Sequence, residues 1–299
     1  MRPVLVTGPD GQLGWELRRA LASITPVVAV GRDQLDLSKP GLIGGLLARV
    51  KPIVVINPAA YTAVDKAEAE PDLARTVNAT APGVLAEACK RIGAALIHYS
   101  TDYVFDGTKT SPYTESDPTN PLGVYGRSKL KGERAVAAAG APCLIFRTAW
   151  VYAGRGKNFL LTMRRLSNER DELRVVNDQV GSPTWARSLA EATVAVVAQS
   201  GILRAGDAGW IRERSGVYHL TCAGQTSWCG FARAIVERAP GTRKVPVNAI
   251  TTTEYPTPAK RPANSVLDCT KAWEALGVRL PPWEEAFAIC AEDMRAEGA

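Results

Sequence analysis

A glycine-rich turn near the start of the chain constrains its fold more than any other feature. The apolar run Val4–Thr7 is followed by the spacing G-x-x-G-x-x-G over residues 8–14 and then by an amphipathic stretch. Between a strand and a helix, the first glycine permits a tight turn, the second lets backbone N–H groups approach a diphosphate, and the third lets the helix pack on the strand. A plain turn is the alternative, but three glycines in this setting favour a dinucleotide site. Its predicted residues are Gly8, Gly11, Gln12, Leu13 and Gly14.

Short β-branched runs alternate with longer amphipathic stretches through residues 1–150, a pattern typical of βαβ units. The predicted strands are Pro3–Thr7, Val27–Val30, Ile53–Asn57, Ala94–Ser100 and Pro142–Arg147. The predicted helices are Gln12–Ser23, Pro40–Val50, Asp72–Arg91 and Gly126–Ala139. We therefore predict a Rossmann-type α/β fold, in which helices cover both faces of a doubly wound parallel sheet.

The alternation weakens after Trp150, where clusters of glycine and proline become frequent. We predict a dinucleotide-binding domain over residues 1–150 and a smaller α/β substrate-binding domain over residues 151–299. Leu189–Val197 and Trp228–Val236 have helical patterns. A helix near residues 185–200 is expected to return to the sheet of the first domain.

The composition is close to that of an average soluble protein, with 46% hydrophobic and 22% charged residues. The net charge of +6 is spread along the chain, which argues against a nucleic-acid partner and suits a small molecule with phosphates. Six cysteines without a C-x-x-C pair and only two histidines give no metal-ligand pattern, so we predict no metal site. The chain shows no signal-peptide pattern and no apolar run of membrane-spanning length, which predicts a cytoplasmic protein without a membrane partner.

The second predicted strand is followed by Gly31 and Arg32, at a place where an acidic residue normally selects NAD through its ribose. Arg32 favours NADPH, because a guanidinium can pair with the 2′-phosphate, although a solvated arginine is nearly as good an interpretation. Asp33 and Asp36 nearby keep NADH open. Further cofactor contacts are predicted along the carboxyl edge of the sheet, at Asp36, Leu37, Ala59, Ala60, Tyr61 and Tyr99.

Tyr125 and Lys129 share one face if a helix begins at or just before Tyr125. An ammonium beside a phenol lowers the pKa of the phenol, which would let Tyr125 give a proton to a carbonyl oxygen as hydride reaches the carbon. Both residues would also contact the cofactor. Thr101 ends the fourth strand at the same edge, where its hydroxyl could bond the reacting oxygen. Each residue has a structural explanation alone, but together they predict a hydride-transfer site.

The chain resembles the extended short-chain dehydrogenase/reductases and, among them, the dTDP-4-dehydrorhamnose reductases. The resemblance rests on the glycine turn, Y-x-x-x-K at Tyr125–Lys129 and four further stretches. These are S-T-D-Y-V-F-D-G at Ser100–Gly107, R-T-A-W-V-Y at Arg147–Tyr152, N-D-Q-x-G-S-P-T at Asn177–Thr184 and R-P-x-x-S-x-L-D at Arg261–Asp268. Pro58 departs from the family pattern, which has alanine there, and it removes a backbone donor near the cofactor edge.

The resemblance implies reduction of the C4 keto group of dTDP-4-dehydro-6-deoxy-L-mannose to dTDP-L-rhamnose. It implies Tyr125 as the acid, Lys129 as the residue that holds the nicotinamide ribose, and Thr101 as the group that polarises the keto oxygen. Asp102 and Trp150 would contact the sugar, and Asn78 would support a water chain to Lys129. The resemblance allows a magnesium ion, which no residue pattern indicates, and it leaves a homodimer open.

Several residues, and the function itself, have more than one interpretation. Trp150 suits packing as well as sugar stacking, and Arg261 suits either a substrate phosphate or solvent. His98 and His219 lie in apolar strands and are predicted to be core histidines with satisfied hydrogen bonds. The rival functions are another nucleotide-sugar reductase or epimerase and a non-catalytic, dinucleotide-binding regulatory subunit.

Overall fold

Six parallel strands form the central sheet of the computed structural model, which describes residues 2–296 and 298. Within those residues the strands are β1 (Val4–Thr7), β2 (Val27–Val30), β3 (Val54–Asn57), β4 (Ala95–Thr101), β5 (Cys143–Thr148), β6 (Val151–Tyr152), β7 (Leu173–Val176), β8 (Val180–Gly181), β9 (Thr184–Trp185), β10 (Gly216–His219), β11 (Thr226–Ser227) and β12 (Val247–Ile250). The order in the central sheet is β2-β1-β3-β4-β5-β10. The chain therefore reverses direction across the sheet between β1 and β3, and ligands of doubly wound folds bind at such a point.

The same residues form α1 (Gln12–Leu21), α2 (Ile43–Val50), α3 (Val64–Ala69), α4 (Pro71–Arg75), α5 (Ala81–Ile92), α6 (Val124–Ala139), α7 (Phe159–Glu169), α8 (Ala186–Gln199), α9 (Ile202–Ala205), α10 (Gly209–Glu213), α11 (Trp228–Arg238), α12 (Thr270–Leu276) and α13 (Trp283–Ala296). Short 3₁₀ segments lie at Pro40–Leu42, Asp102–Val104 and Thr252–Glu254, and a π-helical turn lies at Thr76–Thr80. None of the described helices is both long and apolar enough to cross a bilayer.

Helices cover both faces of the central sheet. On one face α1 packs against α8, and on the other α2, α5 and α6 pack side by side. The strands are buried on both sides for this reason, so β1, β3, β4 and β5 consist of buried residues throughout. All six cysteines are free thiols, and five of them are buried.

Residues 151–296 contribute to the central sheet layer as well as to three two-stranded sheets. Strand β10 pairs with β5 and forms one edge of the central sheet, while α8 returns to cover α1. The small sheets pair β6 with β9, β7 with β12 and β8 with β11.

The predicted doubly wound parallel sheet is confirmed, as are its five N-terminal strands to within two residues at their ends. The single helix predicted over Asp72–Arg91 is interrupted, because a π-helical turn at Thr76–Thr80 separates α4 from α5. Such turns insert one residue into a helix and often lie at functional sites. Here the turn bears Asn78, which is fully buried.

Candidate functional site

A cleft of about 670 Å³ opens at the carboxyl ends of β1, β3, β4 and β5. The parallel register places these ends at one edge, since Val6 pairs with Ile56, Asn57 with His98, and Thr101 with Thr148. Residues from the glycine turn, from the loops after β3 and β5, and from α6 line the cleft together with two segments beyond residue 151. The lining is Gly8, Asp10, Gly11, Gln12, Leu13, Gly14, Pro58, Ala59, Ala60, Thr62, Val64, Tyr99, Ser100, Thr101, Asp102, Tyr103, Tyr125, Lys129, Thr148, Ala149, Trp150, Val151, Gly156, Lys157, Asn158 and Trp228.

The glycine turn allows backbone atoms to approach one another where a side chain would not fit. Gly8 has φ of +55°, and a Cβ on Gly14 would lie 2.1 Å from the carbonyl oxygen of Gly8. Gly11 is the N-cap of α1 and provides no side-chain cap, and the first turn of α1 contains no acidic residue. The helix therefore presents its positive N-terminal end to the cleft, which fits a diphosphate.

The cofactor contacts predicted after β2 and β3 do not all reach the cleft. Ala59 and Ala60 line it, whereas Tyr61 does not, since its hydroxyl bonds Glu70. Arg32 lies outside the lining with its side chain 81% exposed, and it pairs with Asp36 at 3.6 Å between Nε and Oδ2. Leu37 is buried in the core on the α2 side of the sheet. Arg32, which favours NADPH, is thus paired with Asp36, one of the two aspartates that keep NADH open.

Asn78 joins the loop after β3 to helix α6. Its Oδ1 accepts a hydrogen bond from the backbone N–H of Tyr61 at 2.8 Å, and its Nδ2 donates to the Tyr61 carbonyl and to Ser128 Oγ, both at 3.0 Å. Both donors of the amide are therefore engaged locally. The structure supports a clamping role for Asn78 and shows no direct bond from it to Lys129.

Tyr125 lies in the first turn of α6, as the spacing to Lys129 predicts. The helix begins at Val124, whose N–H donates to Glu68 Oε1 at 2.7 Å. A Cβ on Gly126, the residue after Tyr125, would lie 2.2 Å from the carbonyl oxygen of Tyr103. Gly126 therefore lets α6 approach the backbone of Tyr103. The rings of Tyr125 and Tyr103 meet edge to face with centroids 5.7 Å apart. This packing fixes the phenol at the cleft.

The structure reverses the predicted direction of the Tyr125 pKa. Burial raises the pKa of Tyr125 to about 12, and the negative charge of Asp102 adds to this, while the neighbouring Thr101 hydroxyl opposes it. Lys129 does not lower it, because the ammonium of Lys129 donates to the carbonyl oxygen of Tyr99 at 2.6 Å. The phenol therefore keeps its proton at neutral pH, as a proton donor must.

Lys129 itself is almost completely buried. Burial lowers the pKa of Lys129 to about 8, although the carboxylate of Glu133 one turn later opposes the shift. Glu133 in turn forms a bidentate ion pair with Arg147, with N–O distances of 2.9 and 2.7 Å. Tyr99 reaches the cleft edge through its backbone, whereas its hydroxyl bonds Thr193 on α8 at 2.7 Å.

Thr101 and Asp102 form a hydrogen-bonded unit at the end of β4. Thr101 Oγ1 donates to Asp102 Oδ1 at 2.9 Å and accepts from the Tyr103 N–H at 3.2 Å. Burial raises the pKa of Asp102 to about 6, partly offset by the hydroxyls of Ser265 and Thr101. By hydrogen-bond geometry Asp102 Oδ2 has no partner within the described chain, and the nearby Ser265 Oγ donates to the Val180 carbonyl at 3.3 Å. A buried, unpartnered acceptor therefore borders the cleft.

Trp150 stacks on Trp228, with ring centroids 3.5 Å apart and planes 6° apart. Trp150 has φ of +48°, a left-handed conformation that costs a bulky residue of order 1–3 kcal/mol. Gly181 also lies against the Trp150 indole, since a Cβ on Gly181 would lie 2.5 Å from Trp150 Cε2. The indole is thus fixed from several directions at one wall of the cleft.

Arg261 does not line the cleft. Its Nη2 donates to Asp65 Oδ2 at 2.9 Å, and its Nη1 donates to Thr257 Oγ1 and to the Ala259 carbonyl. The guanidinium therefore ties the loop of residues 257–261 to α3.

The two histidines differ. His219 Nδ1 lies 3.0 Å from the Tyr113 carbonyl oxygen, and burial lowers its pKa to about 3. His98 Nδ1 lies 3.1 Å from the Asn57 amide, whereas its Nε2 has no partner within the described residues. Burial holds the pKa of His98 well below its usual range. The prediction of satisfied core histidines therefore fails for one nitrogen of His98.

Several cleft residues were not predicted as site residues from the sequence, and three of them are Trp228, Lys157 and Asn158. All three come from the region after residue 151. Asn158 precedes the apolar start of α7, and its Oδ1 accepts from the Leu161 N–H as an N-cap. That position was a recognisable helix-start signal, but nothing local indicated that it faces the glycine turn. Among the described residues, no group of three or more His, Cys, Asp or Glu side chains is arranged to hold a metal ion.

Comparisons with known proteins agree with this site. A match to the family described as the RmlD substrate binding domain spans residues 1–296. The dTDP-4-dehydrorhamnose reductase of Burkholderia thailandensis is 52% identical over 300 residues, which cover 98% of this chain and 99% of that protein.

Two solved structures are similar over nearly the whole chain. The dTDP-4-dehydrorhamnose reductase of Clostridium acetobutylicum superposes with a TM-score of 0.89 at 39% identity, covering 98% of this chain and 99% of that one. The enzyme of Bacillus anthracis, solved in complex with NADP, gives a TM-score of 0.86 at 33% identity, covering 99% and 100%. The resemblance inferred from the motifs is confirmed.

Proposed function

Because the chain belongs to the family of dTDP-4-dehydrorhamnose reductases, we propose that it reduces the C4 keto group of dTDP-4-dehydro-6-deoxy-L-mannose to give dTDP-L-rhamnose. It is an oxidoreductase that uses a nicotinamide dinucleotide. The observation that supports this function best is the meeting of the glycine turn with Tyr125, Lys129 and Thr101 in one cleft.

The residues of the cleft fit the dinucleotide. The N-terminal end of α1 would hold its diphosphate, since Gly11 at the N-cap provides no side-chain cap and the first turn of α1 contains no acidic residue. Lys129 would hold the nicotinamide ribose. When bound, the reduced dinucleotide supplies the hydride that adds to C4 of the sugar.

Tyr125 donates the proton that the C4 oxygen needs as its bond to carbon becomes single. Its pKa of about 12 keeps the phenol protonated until the oxygen becomes a strong base. The Thr101 hydroxyl would then turn its proton from Asp102 Oδ1 to the phenolate oxygen, and a hydrogen bond from Thr101 favours the phenolate form. A positioned acid of this kind contributes roughly 10²- to 10⁴-fold to the rate.

Asp102 and Trp150 orient the sugar in this proposal. Asp102 Oδ2 is buried without a partner and would accept a hydrogen bond from a sugar hydroxyl. The Trp150 indole lines the cleft and would contact the sugar ring. Arg261 is left out of the substrate site, because it does not line the cleft and its guanidinium bonds Asp65 and residues of its own loop.

For the cofactor we propose NADPH. Arg32 would separate from Asp36 and pair with the 2′-phosphate of NADPH. The two side chains are 3.6 Å apart at an exposed position, and an exposed ion pair is worth about 0–1 kcal/mol, so its rearrangement is inexpensive. Arg32→Ala should raise the KM for NADPH and leave that for NADH unchanged. Equal effects on both cofactors would refute the role of Arg32.

The function is tested by the loss of reduced-nicotinamide absorbance with the 4-keto sugar nucleotide generated in situ, followed by identification of the sugar product. Consumption of one cofactor per sugar reduced is expected. An epimerase would change the sugar without net loss of reduced cofactor, and a regulatory subunit would bind the dinucleotide without turnover. Either result would refute the proposal.

A further inference from the structure

A loop from the second half of the chain lies over the N-terminal end of α1. Asn158 Nδ2 donates to Gln12 Oε1 at 2.8 Å and also to the carbonyls of Ala153 and Arg155. Gly156, with φ of +77°, lies against Gln12, since a Cβ there would be 3.4 Å from Gln12 Cγ. We call residues 154–158 the clasp loop. Asn158 thus links the clasp loop to the helix whose N-terminus faces the cleft.

The two basic residues of the clasp loop have different surroundings. The Arg155 guanidinium carbon lies over the Trp15 ring, 3.6 Å from its centroid, and Arg155 does not line the cleft. Lys157 lines the cleft and is exposed, and the described residues provide it with no hydrogen bond or ion pair. The loop therefore presents one basic side chain to the cleft and holds the other on an aromatic ring.

The cleft contains little positive charge for the anions it has to accommodate. Among the described residues, Lys129 and Lys157 are the basic side chains that line it. Lys129 is buried and donates to the Tyr99 carbonyl. A dinucleotide and a sugar nucleotide each bring a diphosphate, and the aspartates at positions 10 and 102 border the same space. Lys157 is thus the lining cation still available to a diphosphate.

We propose that Lys157 binds a diphosphate in the cleft, and that this diphosphate is the one of the dinucleotide held at the N-terminal end of α1. The assignment rests on the proposed function for the identity of the ligand. It favours the dinucleotide because the clasp loop contacts Gln12, the first residue of α1. The backbone N–H groups of the helix and the ammonium would then face the same phosphates.

The size of the effect follows from the exposure of Lys157. A charge-assisted hydrogen bond at a partly solvated position should change the dissociation constant by about 5- to 30-fold. Because the interaction is largely electrostatic, it should weaken at high salt. An arginine can also pair with a diphosphate, so Lys157→Arg should retain most of the affinity.

The test is calorimetric titration of the full-length protein with NADPH and, separately, with thymidine diphosphate. Lys157→Met retains the apolar stem and should weaken NADPH binding by about 5- to 30-fold, with a smaller difference from wild type in high salt. Lys157→Arg should restore binding. Lys90→Met, which removes the same charge from an exposed position on α5 outside the cleft, should bind like the wild type.

Unchanged NADPH binding in Lys157→Met would overturn the proposal, and so would weakened binding of thymidine diphosphate alone, which would assign Lys157 to the sugar nucleotide. Neither titration depends on turnover. If the protein failed to reduce the keto sugar but Lys157→Met still weakened NADPH binding, the proposed function would fail and this inference would stand.

Discussion

The cofactor side and the sugar side of the cleft are built in different ways. On the cofactor side the geometry belongs to the backbone, since Gly8 and Gly14 approach each other where no Cβ would fit. On the sugar side it belongs to side chains, because Trp150 stacks on Trp228 and Asp102 bonds Thr101. Consecutive residues form the glycine turn of the first side, and residues from separate parts of the chain form the second.

This difference separates two kinds of robustness. A backbone site depends on the absence of atoms, so one added methyl group disrupts it. A side-chain site depends on the presence of atoms and on their charge state, so it can be tuned by substitution and by pH. The strained φ of Trp150 and the raised pKa of Asp102 are both on the sugar side. Both are costs that the surrounding packing has to offset.

The largest expected effect is on the cofactor side. Gly14→Ala should destabilise the protein by about 3 kcal/mol and abolish dinucleotide binding, because the new Cβ would lie 2.1 Å from a backbone oxygen. Gly45→Ala is a matched control within α2, where a Cβ meets nothing within 4 Å. It should stabilise the protein by about 0.5–1 kcal/mol. Denaturant unfolding and NADPH titration measure both, and a Gly14→Ala protein of unchanged stability and affinity would contradict the backbone account.

A pH-dependent effect should come next in size, on the sugar side. The folded-state pKa of Asp102, about 6, exceeds the ordinary value of an unfolded chain, so the folded state binds the proton more tightly. The contribution of protonated Asp102 to the stability of the folded state should therefore be lost as pH rises from about 4 to about 6. Asp102→Asn does not titrate, so its free energy of unfolding relative to wild type should increase over that window by about 2–3 kcal/mol.

Asp106 provides the control of opposite sign. Hydrogen bonds from the Thr108 backbone and side chain lower the pKa of Asp106 to about 2. Its contribution to stability is present above the unfolded pKa and is lost as pH falls through the folded one. Asp106→Asn should thus lose stability relative to wild type as pH rises from about 2 to about 4. If Asp102→Asn and Asp106→Asn showed the same sign, burial would not be the cause of the Asp102 shift.

The smallest of these effects should appear at the tryptophan stack. Trp228→Ala removes the ring that lies 3.5 Å from Trp150 and should raise the KM for the sugar nucleotide by about three- to tenfold. The dissociation constant of NADPH should not change. Trp273→Ala removes an indole that is 51% exposed and lies outside the cleft, and it should change neither quantity. Weakened NADPH binding in Trp228→Ala would show that the two sides of the cleft are not separable.

The same contrast explains what could be predicted from the sequence. The glycine turn and the Tyr125–Lys129 pair follow local rules of spacing and period, so their elements and their meeting at one edge were predictable. The pKa direction of Tyr125 was not, since it depends on burial and on where the Lys129 ammonium bonds. Trp228, Lys157 and Asn158 reach the cleft through long-range packing of short segments, for which one sequence has no periodic signal.

The partners of Arg32 and Arg261 were also not predicted from the sequence. Each is an arginine at a position where an anion could bind, and the structure pairs each with an aspartate instead. Asp65 is almost two hundred positions from its partner, and such a pairing leaves no local pattern. The late motifs at residues 177–184 and 261–268 bond to each other through Val180 and Ala263, which places Gly181 beside Trp150.

We propose that Tyr125 donates the proton and that the cofactor side of the cleft binds NADPH independently of Tyr125. The most direct test compares Tyr125→Phe with wild type for NADPH affinity and for turnover of the 4-keto sugar nucleotide. We expect Tyr125→Phe to bind NADPH with an unchanged dissociation constant and to turn over the sugar nucleotide roughly 10²- to 10⁴-fold more slowly. Unchanged turnover in Tyr125→Phe would refute the role of Tyr125 as proton donor.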